Sequence, residues 1–298
     1  MDNFSNYGAI AMEKILEYLG SLEKIKDTPD IYLDLMAQII TWKQAIDRPL
    51  IQGIVGGQGT GKTTLCRILK NLLQLAGYTT VSLSLDDLYK TYQERLELQL
   101  KEPQLRWRGP PGTHDVQLGI DILDQIHRGN PQQVIALPRF DKSLWQGSGD
   151  RTTPELVTSP DIILFEGWFV GVLPRDNYDF SLSLTPEIVT ESDRAFAAYS
   201  NQQLYNYLPL WKKLDRLILL YPEDYHSCLQ WRLEAEQDMI ALGKSGMTTP
   251  EITEFVKYFY RALHPELFIS PLLKQPTPVD LVIPLNADHS FGKPFLPA

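Results

Sequence analysis

Apolar positions in the first 45 residues recur at helical spacing. Ile15, Leu19, Leu22 and Ile25 form one series, Leu33, Leu35, Ile39 and Ile40 a second, and turn-forming residues stand between them. This pattern predicts a helical preface over residues 1–48. After Pro49 it changes to a mostly apolar run, LIQGIV at 50–55, which ends in a glycine cluster and reads as a buried strand. Further short runs follow at 80–85, 133–137, 162–165 and 217–221, with a sixth at 281–285, and helix-length segments separate them. Strand alternating with helix predicts an α/β domain: a parallel sheet of about five strands with helices on both faces. Residues 89–113 and 139–160 break the rhythm, being rich in Arg, Gly, Pro and Trp and poor in periodicity. In a compact domain, intervals that long usually carry function.

Composition narrows the class. The chain has 298 residues, 43% of them apolar, enough to bury a full core. With no repeat, low-complexity tract or Pro/Ser-rich linker, residues 49–298 read as one domain carrying the two long intervals as insertions. A net charge of −9 argues against a protein built to neutralise a phosphate backbone, so nucleic acid is not an expected partner. Cys66 and Cys228 lie far apart with no CxxC or metal-ligand spacing, so neither a disulfide framework nor a zinc site is legible. No apolar run reaches the ~18 residues of a membrane span, and the N-terminus has no basic apolar leader. These features give a cytoplasmic expectation; oligomeric state leaves no mark in the sequence.

The chemistry begins at GGQGTGKT, residues 56–63, which matches GxxxxGK[ST] between an apolar strand and the helical pattern Leu65, Ile68, Leu69, Leu72. Its glycines let backbone N–H groups approach phosphate oxygens, and the helix that follows adds the positive end of its dipole. Gly57, Gly59, Thr60, Gly61, Lys62, Thr63 and Thr64 are therefore expected to hold a nucleotide, Lys62 at the β- and γ-phosphates and Thr63 on Mg²⁺. The guanine-reading NKxD sequence is absent, which favours ATP.

In a parallel α/β sheet, ligands bind at the carboxyl ends of the strands. Two strand ends there carry acids. LSLDDLY (83–89) delivers Asp86 and Asp87 beside the phosphate cradle, and one of them could accept a proton from an acceptor hydroxyl. DIILFEG (161–167) ends in Glu166, a Walker B pattern with Glu for Asp, suited to holding Mg²⁺ or orienting a nucleophile. The alternative for each is a carboxylate capping the next helix.

These stretches, with RGPPGTHD (108–115), LPRFDKS (137–143), GSGDR (147–151), ILFEGWFVG (163–171) and WRLEAE (231–236), resemble the P-loop kinases of the uridine kinase, phosphoribulokinase and pantothenate kinase type, and within them the D-glycerate 3-kinases of plants, fungi and cyanobacteria. The resemblance covers most of residues 50–236. It implies a P-loop NTPase fold and ATP-dependent phosphorylation of a small hydroxyl substrate, with D-glycerate as acceptor. Asp86 becomes the general base, Asp87 a neighbour holding geometry, and Thr63 and Glu166 the holders of Mg²⁺. A helical lid at about 225–262 follows, with Arg232 and Lys244 closing over the phosphates. Arg232 is equally suited to a surface ion pair with Glu236 at i+4.

The resemblance also places Tyr89, Arg108, His114, Arg139, Asp141, Lys142 and Arg151 in acceptor-site stretches. Glycerate is a small anion, and Arg offers a bidentate fork to a carboxylate. Which of Arg108, Arg139, Lys142 and Arg151 reads it stays open, and Thr113 could cap a helix beginning beside His114. Two departures from the family pattern stand out. Leu88 replaces an aromatic, and YFYRALHP at 258–265 follows the usual end of the lid helix only loosely. Other readings are a kinase for another small alcohol and a P-loop ATPase that acts as a conformational switch.

Overall fold

A computed structural model describes residues 9–22, 29–130, 132–181, 185–241, 243 and 246–298. The expectations for Ile25 and Lys244 lie outside the described residues. The preface forms α1 (Ala9–Gly20) and α2 (Pro29–Gln44), followed by β1 (Leu50–Gly56) and α3 (Lys62–Leu75). Next come β2 (Thr80–Ser84), α4 (Tyr92–Lys101) and α5 (Val116–His127). The second long interval and its borders hold β3 (Val134–Leu137), β4 (Phe140–Asp141), β5 (Asp150–Arg151) and β6 (Glu155–Thr158). The chain continues through β7 (Ile162–Gly167), α6 (Glu191–Leu204), α7 (Leu208–Trp211) and β8 (Arg216–Pro222). It closes with α8 (Ser227–Ala241), α9 (Thr249–Ala262), α10 (Pro265–Phe268) and β9 (Leu281–Leu285).

The central sheet has five parallel strands in the order β2-β7-β1-β8-β9. Alternation along each strand divides its side chains between two cores. Ile51, Val55, Ile163, Phe165, Leu217 and Leu219 face one way, onto α5, α7 and α10. Leu50, Ile54, Ile162, Leu164, Ile218 and Leu220 face the other, onto α1, α2, α3 and the start of α8. Tyr32, Met36 and Ile39 of α2 pack in this second core with Leu65 and Leu69 of α3, so the preface covers one face of the sheet.

One expectation needs correction. The run at 133–137 is a strand but not a member of the central sheet; β3 pairs antiparallel with β6 in a separate ribbon, and β9 takes the fifth place. Within β3, Ile135 and Leu137 are buried and Val134 and Ala136 exposed, the alternation of a ribbon with one covered face rather than of a strand buried on both. The first long interval also hides α4, started by a reciprocal pair of bonds between Thr91 and Glu94.

Candidate active site

The phosphate cradle follows from backbone conformation. Gly59 (φ 76°) and Gly61 (φ 80°) both lie in the left-handed region, and Gly61 opens α3 with no side-chain cap, leaving the first N–H groups of the helix for a ligand. Thr60 is buried, its Oγ1 donating to the Gly57 carbonyl at 2.8 Å. Lys62 Nζ donates to the same carbonyl at 2.7 Å, folded back across the loop. Burial pulls the Lys62 ammonium below its ordinary pKa, against the opposing pull of Glu166 and Asp86. Anionic phosphates would relieve that desolvation.

Register brings the acids to this cradle. On β7, Glu166 lies beside Ile54 of β1 and Ser84 of β2, and it is 7% exposed. Its Oε1 accepts the Thr63 hydroxyl at 3.0 Å. Thr63 and Glu166 thus present adjacent oxygen donors at the phosphate cradle, the hard ligands that Mg²⁺ takes alongside phosphate oxygens and water.

The two aspartates after β2 receive different tasks from their partners. Ser84 caps the 3₁₀ turn Leu85–Leu88, and Asp87 Oδ2 accepts the Ser84 N–H in return at 3.0 Å. Asp87 also meets Arg139 Nη1 at 2.9 Å and accepts the Phe140 N–H at 3.2 Å, so it ties β4 to the end of β2. Burial outweighs these bonds and raises its carboxyl above the usual range. Asp86 instead accepts the Tyr89 hydroxyl on Oδ1 at 2.8 Å and meets Lys142 Nζ with Oδ2 at 2.6 Å. Burial disfavours its charge, but Lys142 and Tyr89 prevail and hold the carboxyl below its ordinary pKa. Asp86 is therefore a carboxylate at neutral pH, as a general base must be.

A cleft of about 1370 Å³ joins the two groups; Lys62, Thr63, Glu166, Asp86, Lys142 and Arg108 are among its lining residues. Tyr89, Arg139 and Arg232 reach its wall as well. His114, Asp141 and Arg151 do not line it. Buried His114 stacks on the Tyr89 ring at 4.5 Å with Nδ1 2.8 Å from the Tyr207 hydroxyl, and burial takes its pKa to about 3, leaving a neutral support for Tyr89. Arg151 donates to the Tyr89 carbonyl at 2.8 Å and pairs with Asp115 at 2.9 Å, and Asp141 accepts the Ser143 N–H and hydroxyl within a turn. The helix cap beside His114 is Asp115, which accepts the Leu118 N–H at 3.0 Å, rather than Thr113, whose hydroxyl donates to the Pro110 carbonyl.

Arg139 is committed to Asp87 and to Glu155 at 2.6 Å, and it donates to the Ser82 carbonyl. Arg232 takes the i+4 pair with Glu236 at 2.6 Å. The start of α8 lies directly on the cradle: a Cβ on Gly59 would stand 3.1 Å from Trp231 Cβ and 3.2 Å from the Cys228 carbonyl. Sequence reasoning missed Arg95, Phe255 and Phe259, which also line the cleft. The TYQE capping pattern at 91–94 was the signal for α4, and hence for Arg95.

No protein-family model matches the chain. It is 33% identical over 71% of its length, and 79% of the relative's, to a protein of Schizosaccharomyces pombe named uncharacterized kinase mug58. It is 32% identical to chloroplastic D-glycerate 3-kinase of Arabidopsis thaliana over 74% of this chain and 49% of the plant protein. The chain belongs to the P-loop kinase family that includes D-glycerate 3-kinase. It is accordingly an ATP-dependent phosphotransferase with an alcohol group as acceptor. Among solved structures, the D-glycerate 3-kinase of Cryptococcus neoformans var. grubii superposes with a TM-score of 0.79 at 26% identity, covering 89% of this kinase and 99% of that chain. The resemblance read from the sequence motifs and the five-strand parallel fold thus agree with these relatives. Among the described residues, no helix is long and apolar enough to cross a membrane.

Proposed function

We propose that this kinase transfers the γ-phosphoryl group of ATP to the 3-hydroxyl of D-glycerate. The observation that carries the reading is the paired Asp86 and Lys142 in the same cleft as the Lys62, Thr63 and Glu166 constellation. Its support is the likeness to two proteins named D-glycerate 3-kinase.

In this mechanism Asp86 takes the proton from the acceptor hydroxyl as the oxygen attacks, and Tyr89 holds the carboxylate in position. Lys62 neutralises charge on the phosphates, and backbone N–H groups at Gly59 to Thr63 orient them. Thr63 and Glu166 would hold Mg²⁺, which when bound neutralises charge on the β- and γ-phosphates. Arg232 would exchange its Glu236 partner for phosphate as α8 closes. The chain's contribution is placement and electrostatics rather than covalent chemistry.

Purified protein supplied with ATP, Mg²⁺ and D-glycerate should form 3-phosphoglycerate, detected by mass spectrometry or a coupled assay. Absence of product alongside turnover of uridine or pantothenate would overturn the acceptor assignment. Rapid ATP hydrolysis without any acceptor would favour a conformational switch.

A further inference from the structure

Within the cleft, the cations differ in whether an acid already occupies them. Arg139 has Asp87 and Glu155, Lys142 has Asp86, and Arg232 has Glu236. Arg95 and Arg108 have no carboxylate partner among the described residues. Arg95 is 6% exposed, and its guanidinium donates to the carbonyls of Lys90, Ser148 and Gly149. Arg108 donates through Nη1 to the carbonyls of Gly147 and Ser148 at 2.7 and 3.0 Å, and among the described residues Nε and Nη2 have no hydrogen bond. Phe140 lies beneath both, its ring centroid 5.1 Å from Arg95 Cζ and 5.6 Å from Arg108 Cζ. The acid whose charge acts on Arg95 is Asp150, already engaged by the N–H groups of Tyr92 and Arg151 and the Trp145 indole. Two guanidiniums gathered at carbonyls and an aromatic ring therefore retain uncompensated positive charge against the cleft.

Their position relative to the base defines what they could read. Tyr89 spans the interval: its hydroxyl bonds Asp86 at 2.8 Å, and its ring centroid is 6.0 Å from Arg108 Cζ. A molecule with its reacting hydroxyl at Asp86 would bring an anionic group a few atoms away to Arg108.

We propose that Arg108, with Arg95 behind it, forms the carboxylate subsite of the acceptor pocket, so that the kinase selects a short hydroxy acid over a neutral alcohol of equal size. Arg108 supplies the unused Nε and Nη2 donors as a fork, and Arg95 holds the Ser148 carbonyl that also orients it. This assignment rests on the reading of a small hydroxy acid as acceptor, and it separates Arg108 from Arg139 and Arg151, whose forks are taken.

The test measures KM for D-glycerate, KM for ATP and turnover of glycerol in the wild type and in Arg108→Gln and Arg108→Lys, with thermal unfolding of each as a fold control. Loss of a charged, forked contact should raise the D-glycerate KM about 10- to 100-fold in Arg108→Gln and less in Arg108→Lys. The KM for ATP should stay within about twofold, and the preference for D-glycerate over glycerol should shrink by the same factor as the acceptor KM rises. An unchanged D-glycerate KM, or parallel losses toward D-glycerate and glycerol, overturns the subsite while leaving the glycerate assignment standing. If the wild type ignores D-glycerate but phosphorylates another hydroxy acid, such as glycolate or pantothenate, the glycerate assignment fails, and the same variant series on that acid tests the subsite. Turnover of neutral alcohols alone overturns both.

Discussion

Lys142 Nζ lies 2.6 Å from Asp86 Oδ2 in a cleft that also holds the phosphate cradle. The contact keeps a partly buried carboxylate charged and leaves its basicity to be tuned by a side chain from a separate segment. Replacing Lys142 with Met removes the strongest force opposing burial, so the Asp86 pKa must rise. The acid limb of the kcat/KM profile should then move to higher pH, with activity lost first at the acidic end and least above neutrality. A limb that stays in place would remove Lys142 from this role.

Asp86→Asn keeps the shape of the side chain and its bond from Tyr89 but cannot take a proton. Turnover should fall about 10²- to 10⁴-fold while ATP affinity, read by calorimetry, changes little. The corresponding Asp87→Asn change should act differently, because Asp87 ties Ser84, Arg139 and Phe140 together; its first effect should be a lower melting temperature.

Gly59→Ala probes the contact between the cradle and α8. The residue sits at φ 76°, and the new Cβ would crowd Trp231 Cβ, Arg232 N and the Cys228 carbonyl at 3.1 to 3.2 Å. Backbone strain of about 1–2 kcal/mol adds to that crowding, so nucleotide Kd should rise by roughly tenfold or more. Unaltered binding would mean that α8 yields without cost.

Asp215 anchors the end of the sheet opposite the site, just before β8, accepting the Ile51 N–H at 2.8 Å and both Arg48 terminal nitrogens. Burial opposes its charge, but His127, Arg48 and Ile51 outweigh it and hold the carboxyl at about 2. A depressed folded pKa contributes stability that is present above about pH 4 and lost as the pH falls toward 2. Asp215→Asn should therefore cost about 2 kcal/mol in urea unfolding at pH 7, and the gap to wild type should narrow below about pH 4.

Local patterns decided much of this architecture. The GGQGTGKT loop between an apolar strand and an amphipathic helix leaves one conformational solution, because only glycine supplies the left-handed turns at 59 and 61. That the acids immediately after the strands would share one cleft was legible too, since parallel strands end on one side of the sheet. Periodicity failed at 133–137, where a four-residue apolar run carries no information about its partner. It failed again at α4, whose polar composition gives little amphipathic signal although its capping pair was present.

By itself, then, the sequence determined the glycine-rich loop, the strand-helix alternation and the small set of acids at the strand ends, all of which arise from residues close together in the chain. Only tertiary structure divided the charged residues of the two long intervals among their tasks. Asp86 and Asp87 are adjacent and chemically identical, and they diverge because one meets Tyr89 and Lys142 while the other meets Ser84, Arg139 and Phe140. Arg139 and Arg151 are consumed by acids far away in sequence, whereas Arg108 keeps donors unspent. An ion pair depends on distances of a few ångströms set by the whole fold, and no local pattern encodes which acid a given arginine will find.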